Sequence, residues 1–164
     1  MRSPAALLLD PDADQQQIVR PVHTRPGHIV IVASGAFFGT LARYGAGLLL
    51  PASKDSWPAA IFMVNILGAF LLGLLLQILK NHGPDESWRR LVRLGLGTGF
   101  LGAFTTYSSL AVGVDTLVNN GHIILAGAYA LGSLFGGLVA CVLGIQLATR
   151  SHRRRYHRHG GGTK

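Results

Sequence analysis

Of the 164 residues, 13 % are charged, well below the roughly 25 % of ordinary globular domains, and the apolar residues fall in long runs. This excludes a soluble globular domain and points to an integral membrane protein. The formal net charge of +8 does not point to nucleic acid: the basic residues gather at the two ends and in one loop, with no aromatic residues interleaved along a basic groove, so they carry topology information and attract anionic lipid.

Residues 1–27 form a polar leader with prolines at 4, 11, 21 and 26, expected to be an extramembrane arm. Its short apolar run at 5–9 is too brief for a signal-peptide core. The first span, about residues 28–50, has the roughly 20 apolar residues that cross a hydrocarbon core about 30 Å thick. Gly35 and Gly39 make a small-xxx-small step for helix contact, and Arg43 follows one turn on. An arginine inside a span is either functional or snorkels to an interface, and Pro51 and Lys54 are near enough to leave both readings open.

A polar loop, 51–58, leads to the second span, about 59–79, whose first half holds one polar side chain, Asn65. Gly68, Leu72 and Gly73 fall near its face, so Asn65 is expected to look at protein rather than lipid. It could be interhelical glue worth about 1 kcal/mol, or a donor facing a passing anion. Lys80, Arg89, Arg90 and Arg93 mark the next loop, about 80–93. The third span, about 91–118, contains the stretch 97–110, with three glycines and five serine and threonine hydroxyls in fourteen residues. That composition predicts a broken helix, and in a bilayer freed backbone groups must be met by protein, an ion or a water-lined path. Close packing of small residues is the alternative.

After a short loop, 119–122, the fourth span runs over about 123–148. Gly132, Gly136, Ala140 and Gly144 recur every four residues as a close-packing face, and Tyr129 and Ser133 stack on the adjacent row. Cys141, the single cysteine, excludes an internal disulfide and is expected to be a buried, inert thiol. A basic tail, 150–164, alternates histidine with arginines that would repel a metal cation, and is expected to anchor the chain. The expected organisation is thus an arm (1–27), a four-helix transmembrane domain (28–149) and a tail (150–164).

Four spans put both termini on one side, together with the arginines and lysines of the arm, the 80–93 loop and the tail; the other side has Lys54 alone. The positive-inside rule places that basic side, with both termini, in the cytoplasm. Glycine-rich faces on at least three spans exceed what one thin four-helix chain can cover, which predicts an oligomer. Enzyme motifs and paired intramembrane carboxylates are absent, and Asp115 alone is thin support for a proton relay. Hydroxyls, an amide and aromatic edges suit a partly dehydrated anion. Carbonyls freed at a helix break suit a small cation. The residues alone leave the ion unnamed.

Three stretches in order carry a resemblance. Residues 35–44 (GAFFGTLARY) lead glycines to Arg-Tyr, 64–73 (VNILGAFLLG) follow Val-Asn-x-x-Gly-x-Phe-x-x-Gly, and 99–108 (GFLGAFTTYS) follow Gly-Phe-x-Gly-x-x-Thr-Thr-Phe-Ser. Over about residues 29–147 the chain resembles the Fluc (CrcB-type) fluoride channels. The resemblance implies an all-α membrane protein, an antiparallel dimer of four-helix subunits with a broken third helix and two fluoride pores. It also implies passive fluoride export from the cytoplasm and fluoride resistance. A central structural Na+ would be held by backbone carbonyls, by motif position those of Gly102 and Thr105. Asn65 would line the pore as a donor, Tyr129 and Ser133 would form its polar track, Ser108 would belong to the pore signature, and Arg43 would lie near a vestibule or support the fold.

The chain also departs from the family. Two phenylalanine positions whose ring edges would face the ion are here Tyr107 and Leu110, and a pore hydroxyl before the second-helix asparagine is lost at Ala60-Ile61. Together with the Lys/Arg bias, these departures suggest a subunit that inserts one way and pairs with an oppositely oriented homologue. Two alternatives stand beside this reading: a pairing subunit with one or no intact pore, and a small multidrug-type transporter, which would want a carboxylate where Arg43 stands.

Overall fold

In the computed structural model, residues 26–51 and 56–159 are described, with no side-chain description for Ser87 or beyond 152. The expectations for the arm before Pro26, for Lys54 and for residues 160–164 lie outside them. Among the described residues every regular element is helical. Helix α1 is Pro26–Leu49 and α2 is Ala59–Asn81. The third crossing is composite. Its first limb, α3 (87–104), is α-helical over Ser87–Val92, π-helical over Arg93–Leu101, and closes with an α turn at Gly102–Phe104. After an extended Thr105-Thr106, α4 runs over Tyr107–Asn119, and α5 over Ile123–His159. Three unbroken helices, α1, α2 and the 123–152 part of α5, are long and apolar enough to cross a membrane; the fourth crossing is the bent pair α3 and α4.

Close backbone approach explains the glycines. A methyl group added at Gly35 would overlap the Gly95 carbonyl and come within 2.9 Å of the Phe100 nitrogen, and one at Gly39 would overlap the Phe100 carbonyl. From the other side, a methyl at Gly99 would lie 2.6 Å from the Val32 carbonyl. Helix α1 therefore rests directly on the π-helical turn, whose Gly95 and Gly99 leave that side without side-chain bulk. The expected small-residue row on α5 is packed against α2: methyls at Gly136 and Gly144 would meet Ile66 and the Phe70 backbone. Gly73 of α2 in turn abuts Cys141, a half-buried free thiol.

The core is split. One cluster joins Val64 of α2 to Leu101 and Phe104 of α3; a second joins Leu117 of α4 to Ala126 and Tyr129 of α5. Trp57 and Phe62, at the start of α2, close the second cluster edge-on over each other, with Trp57 also edge-on to Tyr129. The broken crossing passes from one cluster to the other at Thr105-Thr106. Elsewhere the helices are apolar outward, Phe37, Phe38, Tyr44 and Leu48 on α1 and Leu134, Phe135 and Leu138 on α5 all being exposed. Lipid or another subunit covers such faces in a membrane.

Two boundaries differ from expectation. Helix α5 does not stop where its apolar stretch does but continues to His159, so the first part of the basic tail is helical. No glycine or proline interrupts 145–159, and the first stop signal is the glycine run at 160–162. At 37 residues α5 is about 55 Å long, well beyond one bilayer core. The sequence also marks 97–110 as irregular without distinguishing the wide π turns from the true break.

Candidate functional site

The break is built from four residues. Thr105 donates both its N–H and its hydroxyl to the Leu101 carbonyl, at 3.0 and 2.9 Å, and then leaves the helix at ψ 155°. Thr106, buried and extended, caps the next helix: its Oγ1 accepts the Ser109 N–H at 3.2 Å. Asn65 of α2 reads both backbone groups of Thr106. Its Oδ1 accepts the Thr106 N–H at 2.9 Å, and its Nδ2 donates to the Thr106 carbonyl at 3.1 Å. Gly68, one turn on, makes room for the Thr105 methyl.

Two carbonyls are freed by this arrangement. The N–H that would close a helical turn onto Gly102 is that of Thr106, and it goes to Asn65 instead. The N–H that would close onto Thr105 is that of Ser109, and it goes to the Thr106 hydroxyl. The limb α3 thus ends on unsatisfied carbonyls, while α4 opens with the N–H groups of Tyr107 and Ser108 lacking intrahelical acceptors. One break presents a partly negative and a partly positive helix end within a few residues.

A groove of about 950 Å³ runs past this point. It gathers Asn65, Gly102, Thr105, Tyr107, Leu110 and Ser133 from the residues singled out above. Most of its wall is small or apolar, with Gly68, Gly97, Ala111 and Ala130 between the polar groups, and Asp115 stands along α4, where Asn119 donates to it at 3.0 Å. Tyr107 is 83 % exposed in the single chain, whereas Leu110 is half-buried against the Leu117–Tyr129 cluster. Ser133 Oγ and, one turn back on α5, Tyr129 OH are both buried and make no hydrogen bond among the described residues. A buried hydroxyl without a partner costs about 1–3 kcal/mol, so two in succession on α5, the Ser133 one in the groove wall, call for an explanation.

The structure leaves three candidates off the groove: Tyr129, which is fully buried in the second cluster, Ser108 and Arg43. Ser108 is exposed and lies 3.1 Å from the Thr106 hydroxyl. Arg43 is half-buried on α1, which contributes nothing to the groove, and it has no hydrogen-bond or ion-pair partner among the described residues. Sequence reasoning assigned no role to Thr106. The signal was present, since a threonine after a break with Ser109 three residues on is an N-cap pattern. Asn65 is committed to the break's backbone, although the second proton of its amide is not used by Thr106. No group of three His, Cys, Asp or Glu that could hold a metal occurs among the described residues.

The family described as CrcB-like protein, Camphor Resistance (CrcB), matches residues 30–145, from early α1 to late in the apolar part of α5. The chain belongs to the CrcB-like family. It is 40 % identical over 139 residues to the fluoride-specific ion channel FluC 3 of Streptomyces avermitilis, covering 83 % of this chain and 67 % of that one. It is 38 % identical over 122 residues to the fluoride-specific ion channel FluC of Prosthecochloris aestuarii (73 % and 91 %), and 41 % over 114 residues to FluC 2 of Moorella thermoacetica (69 % and 89 %). The aligned CrcB-like segment contains the whole break, both core clusters and every candidate site residue. Membership sets aside the small multidrug-type reading, and a family of channels is not one of enzymes.

Proposed function

We propose that this chain is a subunit of a fluoride-selective channel that lets fluoride leave the cytoplasm passively across the plasma membrane. The observation that carries the reading is Ser133 Oγ, buried and without a hydrogen-bond partner among the described residues, in the wall of a groove into which α4 starts its N-terminal end; one turn back on α5 the Tyr129 hydroxyl, inside the second cluster, is likewise buried and without a partner among the described residues. Fluoride is a small, strongly hydrated anion, and a path for it must replace water with donors. The spare Asn65 amide proton, the first N–H groups of α4 and the Ser133 hydroxyl supply donors in a wall of mostly small and apolar residues that also holds Asp115. Fluoride enters cells as neutral HF and is trapped as the ion at higher internal pH, so a passive exit suffices.

A structural sodium fits the end of α3. The freed carbonyls of Gly102 and Thr105 are hard oxygen ligands at a negative helix end, and those two residues would hold it. When bound, the ion would compensate that end of the helix and tie together two copies of the break. The broad apolar faces of α1 and α5 support a dimer. Among the described residues Lys80, Arg89, Arg90, Arg93 and Arg150 lie at the end of α2, the start of α3 and late in α5, the ends on one side of a four-crossing chain. Both termini are then cytoplasmic by the positive-inside rule, and the partner in an antiparallel dimer is an oppositely inserted homologue.

The test is fluoride efflux from liposomes containing this chain with and without such a homologue. Efflux that chloride does not share, reduced several-fold by Tyr129→Phe and Ser133→Ala, supports the reading. Equal fluoride and chloride flux, or full efflux by the double variant, would refute it. A second reading, a pairing subunit whose own pore is impaired, is favoured by Leu110, which offers a groove wall without a ring edge. It predicts that abolishing the homologue's pore residues removes all conduction from the pair.

A further inference from the structure

A second cavity, of about 460 Å³, lies at the opposite end of α2 from Trp57, under the α2–α3 connection. Leu76 and Leu79 form its wall, and Lys80, Arg89 and Arg93 its rim, with Asp85 and Gly83 completing the lining. The loop is ordered by its arginines. Arg89 Nε donates to the Pro84 carbonyl at 2.6 Å, Arg90 donates to the Asp85 carbonyl through Nε and Nη2, and Arg93 grips the Asp85 carboxylate at 3.1 and 2.6 Å. Gly83, at φ 119°, lets the chain turn beneath the Arg89 guanidinium.

This clasp neutralises only one of the rim charges. Asp85 is taken by Arg93, whereas the two terminal nitrogens of Arg89 and the ammonium of Lys80 have no hydrogen-bond or ion-pair partner among the described residues. Three cations against one acid leave the rim at +2. Trp88, exposed next to Arg89, is of the type that marks the headgroup depth of a bilayer. Leu76 is 42 % exposed, so the apolar wall opens outward along α2 rather than closing into the protein.

We propose that this cavity binds the phosphodiester headgroup of an anionic phospholipid, with Arg89 and Lys80 on the phosphate and an acyl chain lying along Leu76 and Leu79. A planar guanidinium fixed through Nε has its other edge free for two parallel hydrogen bonds to phosphate oxygens. Free inorganic phosphate could use the same cations but would gain nothing from the leucine wall. The proposal requires only that the chain lie in a bilayer; it is independent of conduction.

The experiment is native mass spectrometry of the full-length protein in nonionic detergent with dioleoylphosphatidylglycerol, dioleoylphosphatidylcholine or inorganic phosphate. One uncompensated cation is worth roughly fivefold in affinity for an anionic headgroup, so two give a preference for the glycerol lipid of about 30-fold. Lys80→Gln, at a residue that bonds the loop only through its backbone carbonyl, is expected to cut that preference roughly fivefold while leaving the clasp intact. Lys80→Gln with Arg89→Gln is expected to abolish it, and Arg150→Gln, outside the cavity, to preserve it. Equal retention of the two lipids, an equal loss from Arg150→Gln, or displacement of the glycerol lipid by inorganic phosphate would each overturn the proposal, the last assigning the cavity to free phosphate.

Discussion

Asn65→Ala tests the centre of the structure. The substitution removes two hydrogen bonds to one residue, the Thr106 N–H at 2.9 Å and the Thr106 carbonyl at 3.1 Å. In membrane proteins such bonds contribute about 0.6 kcal/mol each on average. The larger loss comes from what is left behind, because Thr106 is 8 % exposed and neither of its backbone groups has a helical partner to return to. An unsatisfied buried backbone group costs about 1–3 kcal/mol. With partial repair by water from the groove, the net destabilisation is about 2–4 kcal/mol, or roughly 5–15 °C in melting temperature for a chain of this size. Thermal unfolding of the purified protein reads this directly. Asn65→Asp keeps the acceptor for the Thr106 N–H and loses only the donor, so its loss should be smaller. Ser133→Ala is the contrast, since its hydroxyl has no partner and its removal should be neutral or slightly stabilising. An unchanged melting temperature for Asn65→Ala, or a fall no larger than that of Ser133→Ala, would refute the clamp.

The same reasoning fixes other outcomes. Gly39→Ala places a methyl on the Phe100 carbonyl and should cost about 1–3 kcal/mol through overpacking; Gly47→Ala on the same helix meets nothing within 4 Å and should be neutral or stabilising in the same melting assay. The hydrogen bonds from Arg93 hold the Asp85 carboxyl below its ordinary 3.8, so its contribution is present above that pH and is lost as pH falls through the lower folded value. At such an exposed ion pair the effect is at most about 1 kcal/mol, visible as an Asp85 carboxyl NMR titration that moves up in Arg93→Gln. Exchanging sodium for a large organic cation should lower the melting temperature by the equivalent of about 2.7 kcal/mol if sodium is present at 100 times its dissociation constant; no change would remove the sodium assignment.

What the sequence reveals here follows from which properties are local. Length and apolar runs fix the crossings, and the cluster of glycines and hydroxyls at 97–110 fixes a break, because both depend on composition within one segment. The four-residue row at Gly132, Gly136, Ala140 and Gly144 is legible as a packing face for the same reason. Its partner is not, and α2 supplies it. Asn65 shows the limit more sharply. From its own neighbours it reads as interhelical glue or as a pore donor, and only the extended backbone of Thr106, 41 residues away, reveals what its oxygen and its first proton do. Arg43 is undecided on sequence for the same reason, and the groove forms without its helix. The π-helical turn at Arg93–Leu101 was hidden as well, since glycines permit a wide turn without encoding it and the closeness of α1 favours it.

Leu110 offers the groove an aliphatic side chain with no ring edge, and Leu110→Phe examines what a ring there would do. Leu110 follows Tyr107 by three residues on α4, and both line the groove, so a ring there would stand beside the tyrosine ring with its positive edge toward the same space. The groove's volume of about 950 Å³ leaves room on one side, while the Leu117–Tyr129 cluster limits it on the other. The added ring should therefore cost less than the 1–3 kcal/mol of overpacking a closed core, and a melting shift below about 3 °C is expected. If ring edges help an anion shed water in this groove, fluoride efflux rises in Leu110→Phe and not in Leu110→Met, which keeps about the volume of leucine and adds no aromatic edge. Equal efflux from both variants and wild type, with a lowered melting temperature for the phenylalanine alone, would make Leu110 a packing residue of the second cluster and move the ion's path toward Ser133 and the start of α4.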